Sequence, residues 1–254
     1  MSTHNRYWSW LLSAPFYRFT YLRIAHQLDE DLFAYLGDLV QGAVVADCGC
    51  GPGIVTEKFL QNGATKVFAI DVNTSMLAQA QDRLAAAIAE KHVELVHASF
   101  QPLLFSSLAD QQKRRKPFNI ILFKRSLYHQ RAQAVEILRA AGAQLASGGA
   151  LALVHPARSL TRYAFNQTYG FTPYTLYHLF NRLISRLAVR AGISNYTLYS
   201  RDELFELLQS AVPGWNVEWI PSQQTAYHLI AARAAGPSDS TGLSHPPLDK
   251  AITP

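Results

Sequence analysis

One short stretch near the start of the chain constrains the fold more than any other. An apolar strand at 44–47 runs into a turn that carries glycine at Gly49, Gly51 and Gly53. A helical segment and a second apolar strand follow, and the second strand ends in Asp71. Glycines permit a tight turn and allow a ligand to approach the backbone closely. The stretch therefore predicts a β-loop-α-β unit with a nucleotide-type binding site at its first turn.

The spacing of the glycines distinguishes between nucleotides. Dinucleotide-binding loops have the form G-x-G-x-x-G, with the pyrophosphate at a helix N-terminus. Here the form is G-x-G-x-G, and Asp47 precedes the first glycine by two positions. An acid at this point would repel a pyrophosphate, whereas it would suit a cationic ammonium or sulfonium group. An NAD-binding oxidoreductase is therefore disfavoured.

This stretch resembles motif I of the class I S-adenosylmethionine-dependent methyltransferases, which has the form D-x-G-x-G-x-G. Residues 47–53 match every defined position of that pattern, and the wider resemblance covers 40–155 and 200–234. It implies a Rossmann-like α/β fold: a seven-stranded, mostly parallel sheet with one antiparallel strand, helices on both faces and a helical lid. It also implies an enzyme that uses S-adenosylmethionine as cofactor, and no metal is expected.

The resemblance also implies which residues hold the cofactor. The glycines would lie against its methionine moiety and sugar, Asp47 would face its ammonium group directly or through water, and Asp71 would accept hydrogen bonds from the ribose hydroxyls. Ser99 departs from the family pattern, because many members have an aspartate there that contacts the adenine amino group. The full predicted set is Asp47, Gly49, Cys50, Gly51, Gly53, Asp71, Val72, Met76, Ser99, Phe100 and Lys124.

Candidates for catalysis follow the fourth and fifth predicted strands, at 118–123 and 150–155. In open α/β sheets, ligands bind at the carboxyl ends of the strands, and the family places its motif IV after the fourth strand. If the acceptor needs a general base, His129 is the first candidate, followed by Tyr128 and then His155. A capping or packing role for His129 stays equally open.

Aromatic residues and arginines concentrate in two flanking segments. We expect residues 1–40 to form an N-terminal helical lid and residues 156–199 to form a helical cap insertion. The methyltransferase domain would then comprise 41–155 and 200–235. Plain core packing, or peripheral contact with a membrane surface, stays open for these aromatic and basic segments. Residues 236–254 are rich in Pro and Ser, and we expect a disordered tail.

The flanking segments favour a small acceptor that is aromatic or lipophilic and carries an anionic group, with the methyl group passing to O, N or C. The net charge of +5 and the pI of about 9.2 keep RNA or protein methylation as an alternative. Nucleic acid is nevertheless disfavoured, because no aromatic residue interleaves the basic run at 113–116. A catalytically silent, cofactor-binding partner subunit is a further alternative.

The two cysteines, Cys48 and Cys50, both lie in the glycine turn. Their spacing favours neither a disulfide nor a zinc site. We therefore expect small packing residues in a reducing, cytoplasmic compartment. No run of 18 apolar residues is present, so no membrane-spanning helix is predicted. The sequence does not define the oligomeric state.

Overall fold

A computed structural model describes residues 26–112, 117–156, 199–222 and 227–234 of the 254-residue chain. Its centre is a seven-stranded sheet. The strands are β1 (Val44–Cys48), β2 (Lys66–Asp71), β3 (Val93–His97), β4 (Phe118–Lys124), β5 (Leu145–Pro156), β6 (Asn216–Trp219) and β7 (Tyr227–Arg233). The order across the sheet is β3-β2-β1-β4-β5-β7-β6.

Six strands run in one direction and β7 runs against them. The pairs β1–β2, β1–β4, β2–β3 and β4–β5 are parallel, whereas β7 is antiparallel to both β5 and β6. The chain order reverses between β1 and β4, and such a switch point is where open α/β sheets bind ligands. The predicted fold class is confirmed.

Helices cover both faces of this sheet. They are α1 (His26–Leu36), α2 (Ile54–Gln61), α3 (Thr74–Arg83), α4 (Ala85–Ala89), α5 (Pro102–Gln111), α6 (Ala134–Ala143) and α7 (Arg201–Ala211). Two 3₁₀ helices, Gly37–Val40 and Leu127–Gln133, follow α1 and β4 respectively. Because parallel strands covered on both faces bury every side chain, the central strands read as continuous apolar runs.

Alternation along the strands divides the core into two main layers. Val45 and Leu122 lie in the layer beneath α1 and α2, whereas Ala46 and Phe123 lie in the layer beneath α5, α6 and α7. All four side chains are essentially buried. Side chains on neighbouring positions of a strand point to opposite faces. The face on which a polar residue lies at a strand end is therefore set by its register.

Two predicted boundaries differ from the structure. The alanine-rich sequence at 76–90 predicts one helix, whereas the structure divides this stretch at Leu84, whose backbone leaves the helical region (φ −104°, ψ 14°). Leu84 is buried, and its side chain occupies the space that a Cβ on Gly53 would need. Tertiary packing here overrides the helix propensity of the alanines. The fifth strand begins at Leu145 rather than 150, because Leu145 pairs with Phe118 before a register shift.

The predicted lid, cap and tail lie mostly outside the described residues, and these three assignments stay predictions. Within the lid range, the described part packs on the sheet, since Leu32, Leu36 and Val40 are buried in the core layer beneath α1 and α2. Among the helices of the described ranges, none combines the length and the apolar character needed to cross a bilayer.

Candidate active site

The glycine turn after β1 has a backbone that other residues adopt with difficulty. Gly49, Gly51 and Gly53 have φ values of +85°, +55° and +77°, a region that glycine enters without steric cost. The backbone N–H groups of Gly49 and Cys50 both donate to the Ile70 carbonyl, at 2.8 and 3.0 Å. The turn is therefore fixed to the carboxyl end of β2.

Gly49 also lies against the residues that follow β4. A Cβ at this position would lie 2.4 Å from Ser126 Cβ, and the Ser126 hydroxyl donates to the Cys48 carbonyl at 2.6 Å. Arg125 has a left-handed backbone (φ +58°), a conformation that costs a non-glycine residue about 1–2 kcal/mol. Its N–H donates to the Val154 carbonyl at 2.8 Å. These contacts hold the ends of β1, β4 and β5 together.

Asp71 joins the glycine turn to the tip of β2 through its side chain. Gly51 N–H donates to Asp71 Oδ2 at 2.9 Å, and Asn73 N–H donates to Oδ1 at 2.8 Å. Burial raises the pKa of this carboxyl, and the backbone N–H donors oppose that rise. The Val72 N–H is a third backbone donor to this carboxyl. A carboxylate has about four acceptor positions, so acceptor capacity remains for a ligand hydroxyl. The predicted ribose contact fits this geometry.

The residues after Asp71 extend the site along the tip of β2. Val72 is 39 % exposed although it is apolar, which suits the face of a base. The Asn73 side chain accepts hydrogen bonds from the N–H groups of Ser75 and Met76, at 2.9 and 3.3 Å, and so fixes the start of α3. Met76 itself is buried.

Ser99 and Phe100, the predicted neighbours of the adenine, follow β3. Ser99 is exposed, and its hydroxyl accepts a hydrogen bond from the Gln130 amide at 3.3 Å. The Phe100 ring is buried, with its centroid 5.6 Å from that of Phe123 in an edge arrangement. Ser99 is thus exposed enough to contact the adenine directly, whereas Phe100 packs beneath the surface at the next position.

Asp47 lies below the turn rather than at its surface. It is 1 % exposed and accepts a hydrogen bond from the Thr56 hydroxyl of α2 at 2.7 Å. Burial raises the pKa of Asp47 to about 6. Asp47 shares the face of Val45, because the two are separated by two positions on β1. Its contact in the structure is therefore with α2, whereas the sequence-based assignment was to the cofactor's ammonium group.

Lys124 likewise has an internal partner. It is 6 % exposed and forms an ion pair with Asp29 of α1, which is fully buried and lies 3.2 Å from Lys58 Nζ. Burial lowers the pKa of Lys124, and Asp29 opposes that change. The pair joins α1 to the carboxyl end of β4. The predicted contact between Lys124 and the methionine end of the cofactor stays a prediction.

The two thiols are free and buried within the turn. Burial raises the pKa of Cys48 and of Cys50 well above the ordinary value. Both are therefore protonated at physiological pH and behave as small apolar residues. Their position agrees with a packing role beneath the turn.

The candidate bases lie at the carboxyl ends of β4 and β5. The backbone of Tyr128 and His129 belongs to the 3₁₀ helix Leu127–Gln133, but their side chains lie outside the described part of the structure. His155 is buried, and its Nε2 accepts a hydrogen bond from the Tyr199 N–H at 3.0 Å. Burial lowers the pKa of His155 to about 3. Because the Nε2 lone pair is engaged, this geometry argues against His155 as a general base.

Sequence reasoning missed a second group of side chains at this edge. The Arg131 guanidinium lies 4.6 Å from the centre of the Tyr199 ring, and Arg131 Nη2 donates to Glu203 Oε1 at 2.6 Å. Glu203 also accepts from the Ser200 N–H at 2.6 Å, as part of a capping box that opens α7. The S-x-x-E signature identifies that box. Nothing in the sequence connects it to Arg131.

The Glu203 carboxylate is strongly acidic. The hydrogen bond from the Ser200 backbone, together with the bond from Arg131, lowers the pKa of Glu203 to about 2. The pair is therefore ionised throughout the physiological pH range. Arg131 and Glu203 join the segment after β4 to the start of α7.

Residues 45–149, which contain the glycine turn, Asp71 and β4, match a family model described as a methyltransferase domain. The chain carries a methyltransferase domain. Its strand order, with one antiparallel strand, is the class I arrangement implied by the motif. The recognition of a methyltransferase domain is confirmed for this part of the chain. It agrees with the enzyme class and with the cofactor that the motif implies.

Solved structures share this methyltransferase fold. An O-methyltransferase family protein from Burkholderia thailandensis is 14 % identical, with a TM-score of 0.59, over 87 % of this chain and 59 % of that one. The pyocyanin biosynthetic protein PhzM is 20 % identical, with a TM-score of 0.57, over 90 % and 61 %. A Burkholderia thailandensis 1,6-didemethyltoxoflavin-N1-methyltransferase, bound to 1,6-didemethyltoxoflavin and S-adenosylhomocysteine, is 20 % identical, with a TM-score of 0.52, over 86 % and 82 %.

The chain therefore spans about three fifths of the length of the first two structures. At these identities the likeness establishes the fold of the methyltransferase domain. No curated protein sequence matches the chain.

Proposed function

We propose that this protein transfers a methyl group from S-adenosylmethionine to a small acceptor that is aromatic or lipophilic and carries an anionic group. The observation that supports this most directly is the Gly51–Asp71 hydrogen bond within a matched methyltransferase domain. This bond places a carboxylate with unused acceptor positions beside a glycine backbone. A ribose and an amino-acid moiety can share such a surface.

The chain's own residues suit the cofactor. Asp71 would accept the ribose hydroxyls, Val72 would contact the base, and the backbone from Gly49 to Gly53 would lie against the sugar and the methionine moiety. When bound, the cofactor supplies a methyl group on a positively charged sulfur. Fixing two reactants in line is worth roughly 7–11 kcal/mol of the barrier at best. Positioning by the turn and by the ends of β4 and β5 is therefore the main contribution of the protein.

The acceptor would lie at the carboxyl ends of β4 and β5, next to the glycine turn. His129 and Tyr128 follow β4. They remain our first and second candidates for a base that removes a proton from the acceptor. The fold is shared with a 1,6-didemethyltoxoflavin-N1-methyltransferase bound to 1,6-didemethyltoxoflavin, which agrees with a small-molecule acceptor. The buried thiols agree with a reducing, cytoplasmic compartment.

Calorimetric titration with S-adenosylhomocysteine tests the cofactor half of the proposal. We expect saturable binding to the full chain, and no binding of NAD under the same conditions. Binding of NAD without binding of S-adenosylhomocysteine would overturn the proposal, because it would assign the glycine turn to a dinucleotide.

Transfer from S-adenosylmethionine labelled in its methyl group tests the acceptor half. The substrates are a panel of phenols and aromatic acids, together with RNA and a mixture of peptides. We expect label on a small aromatic member. Salt-sensitive labelling of RNA, or labelling of peptides, would support the macromolecular alternative. Tight cofactor binding without turnover on any member would support a silent partner subunit.

A further inference from the structure

One stacked pair of side chains carries two polar atoms without partners. Among the described residues, three buried side-chain nitrogen or oxygen atoms have no hydrogen-bond partner: Asn73 Nδ2, Arg131 Nη1 and Tyr199 Oη. The last two belong to the guanidinium and the ring that stack at 4.6 Å. A buried polar atom without a hydrogen-bond partner destabilises the fold. Two such atoms on one pair of side chains suggest a partner supplied by a ligand.

The position of this pair is the position of the proposed acceptor site. Arg131 lies in the 3₁₀ helix that follows β4, and Tyr199 is bonded through its N–H to His155 at the end of β5. Both are therefore at the carboxyl edge of the sheet, beside the ends of β4 and β5.

The chemistry of the two atoms defines what they can bind. A guanidinium presents N–H donors in a planar fork that matches a carboxylate. Glu203 engages Nη2 of that fork, which leaves Nη1 available as a donor. Burial raises the pKa of Tyr199 to about 12, so its hydroxyl keeps its proton and can also donate. The pair therefore offers two donors to one oxygen-bearing group.

We propose that Arg131 and Tyr199 recognise a carboxylate on the methyl acceptor, with one carboxylate oxygen bound by each residue. The proposal rests on the proposed function, since it specifies the substrate class of the same site. Glu203 holds the guanidinium in place, but its negative charge also opposes a bound anion. Arg131 and Tyr199 thus determine specificity, and Glu203 sets the strength of binding.

Binding of matched probes tests this proposal without turnover. The probes are 2-naphthoate and its neutral amide, titrated by calorimetry into the full chain saturated with S-adenosylhomocysteine. We expect the wild type to bind the carboxylate at least tenfold more tightly than the amide. Arg131→Lys should remove most of that preference, because the single nitrogen of an ammonium cannot reproduce the planar fork that reaches Glu203 and the ligand from two nitrogens. Tyr199→Phe should weaken carboxylate binding about threefold or more and keep the ring stack.

Glu203→Gln separates recognition from a structural role. Glutamine has a single acceptor oxygen, so it can preserve the capping box while it releases Arg131 Nη2 from its bond. We therefore expect α7 to form still, and thermal denaturation checks this. If the pair binds an anion, removing the negative charge should leave carboxylate binding unchanged or tighter. If Arg131 serves only to join α7 to β4, the same change should weaken binding together with stability.

Three results would overturn the proposal: no binding of 2-naphthoate to the wild type, equal binding of acid and amide, or unchanged carboxylate binding in a folded Arg131→Lys variant. Binding of S-adenosylhomocysteine, measured in each variant, keeps these outcomes separate from failure of the proposed function. If the cofactor product binds but the carboxylate does not, only the specificity proposal fails.

Discussion

The polar groups at the carboxyl edge of the sheet differ between its two halves, which we call the cofactor half (β1, β2 and β3) and the acceptor half (β4 and β5). On the side of β1, β2 and β3, the turn and its acid are joined by backbone hydrogen bonds, as in the contact between Gly51 and Asp71. On the side of β4 and β5, two side-chain atoms without partners lie on one stacked pair, Arg131 and Tyr199, whereas the described part of the other side has one such atom, Asn73 Nδ2. A site built from backbone suits a ligand that never changes. A site built from side chains suits a ligand that differs between enzymes of one fold.

The largest expected effect tests the acceptor half alone. His129→Ala should reduce turnover by roughly 10²-fold or more if His129 is a general base. Affinity for S-adenosylhomocysteine should not change, because the cofactor half is untouched. The measurements are kcat across pH, with the acceptor found in the labelling screen, and calorimetry. Full activity at every pH would rule out a base at this position, and Tyr128→Phe would then be the next variant.

The next effect tests the cofactor half through its backbone. Gly49→Ala should lower affinity for S-adenosylhomocysteine by more than about tenfold, because the new Cβ would lie 2.4 Å from Ser126 Cβ in a backbone with φ +85°. Strain of this kind typically costs about 1–3 kcal/mol in stability. Gly148→Ala is the matched control, since Gly148 has φ +73° with nothing within 4 Å.

Calorimetry and urea denaturation of both glycine variants separate two effects of the added Cβ: the steric clash with Ser126 and the strain of a positive φ. Gly148→Ala should lose stability only through its backbone and should keep the affinity of the wild type. Equal cofactor affinity in the wild type and in Gly49→Ala would show that close approach at the turn is not needed.

Substitution of Asp71 and of Asp47 should affect the affinity for S-adenosylhomocysteine differently. Asp71→Ala should weaken binding of S-adenosylhomocysteine at least tenfold, because it removes both the ribose acceptor and the bond to Gly51. Asp47→Asn should change affinity less than threefold, since the Asp47 side chain contacts Thr56 inside the protein. Calorimetry measures both. A large loss in Asp47→Asn would restore the ammonium assignment, and unchanged binding in Asp71→Ala would remove the ribose assignment.

The smallest effect concerns stability against pH and involves one residue from each half. Burial raises the pKa of Asp47 to about 6, above its ordinary value of 3.8, so ionisation of Asp47 opposes folding. Stability relative to Asp47→Asn should therefore fall as pH rises from about 4 to 6. His155 has a pKa of about 3 against 6.5. The contribution of neutral His155 to folding stability is therefore fully present above about pH 6.5 and is lost as the pH falls towards 3.

Urea denaturation of the ligand-free protein between pH 4 and 7 measures these opposite slopes. His155→Gln is the matched variant, because a glutamine side-chain oxygen can accept the Tyr199 N–H in place of Nε2. Slopes of the same sign for the two difference curves would contradict the burial of one residue or the other.

The sequence predicted the parts of the site that depend on local order along the chain. The spacing of Gly49, Gly51 and Gly53 and the acid at the end of β2 indicated the turn and its partner, and the structure joins them. The alternation of side chains along β1 also predicts the face of the sheet on which Asp47 lies. Asp47 lies two positions from Val45, so its side chain had to face the layer beneath α2.

The features that the sequence did not predict depend on contacts between segments that are distant in the chain. Nothing about Asp29 in the sequence indicates that it pairs with Lys124, because the two are brought together only when α1 packs on the sheet. Arg131 and Glu203 are likewise joined across the sheet edge. The break at Leu84 followed from packing against the glycine turn, which no helix propensity describes.

The hydrogen bond from Tyr199 to His155 has a consequence for how such a chain can diversify. It joins positions that lie 44 residues apart in the sequence and anchors the start of α7 to the end of β5. Substitutions elsewhere at this edge of the sheet can then alter the choice of acceptor while these two elements stay in place and the methyl donor's binding surface is left as it is.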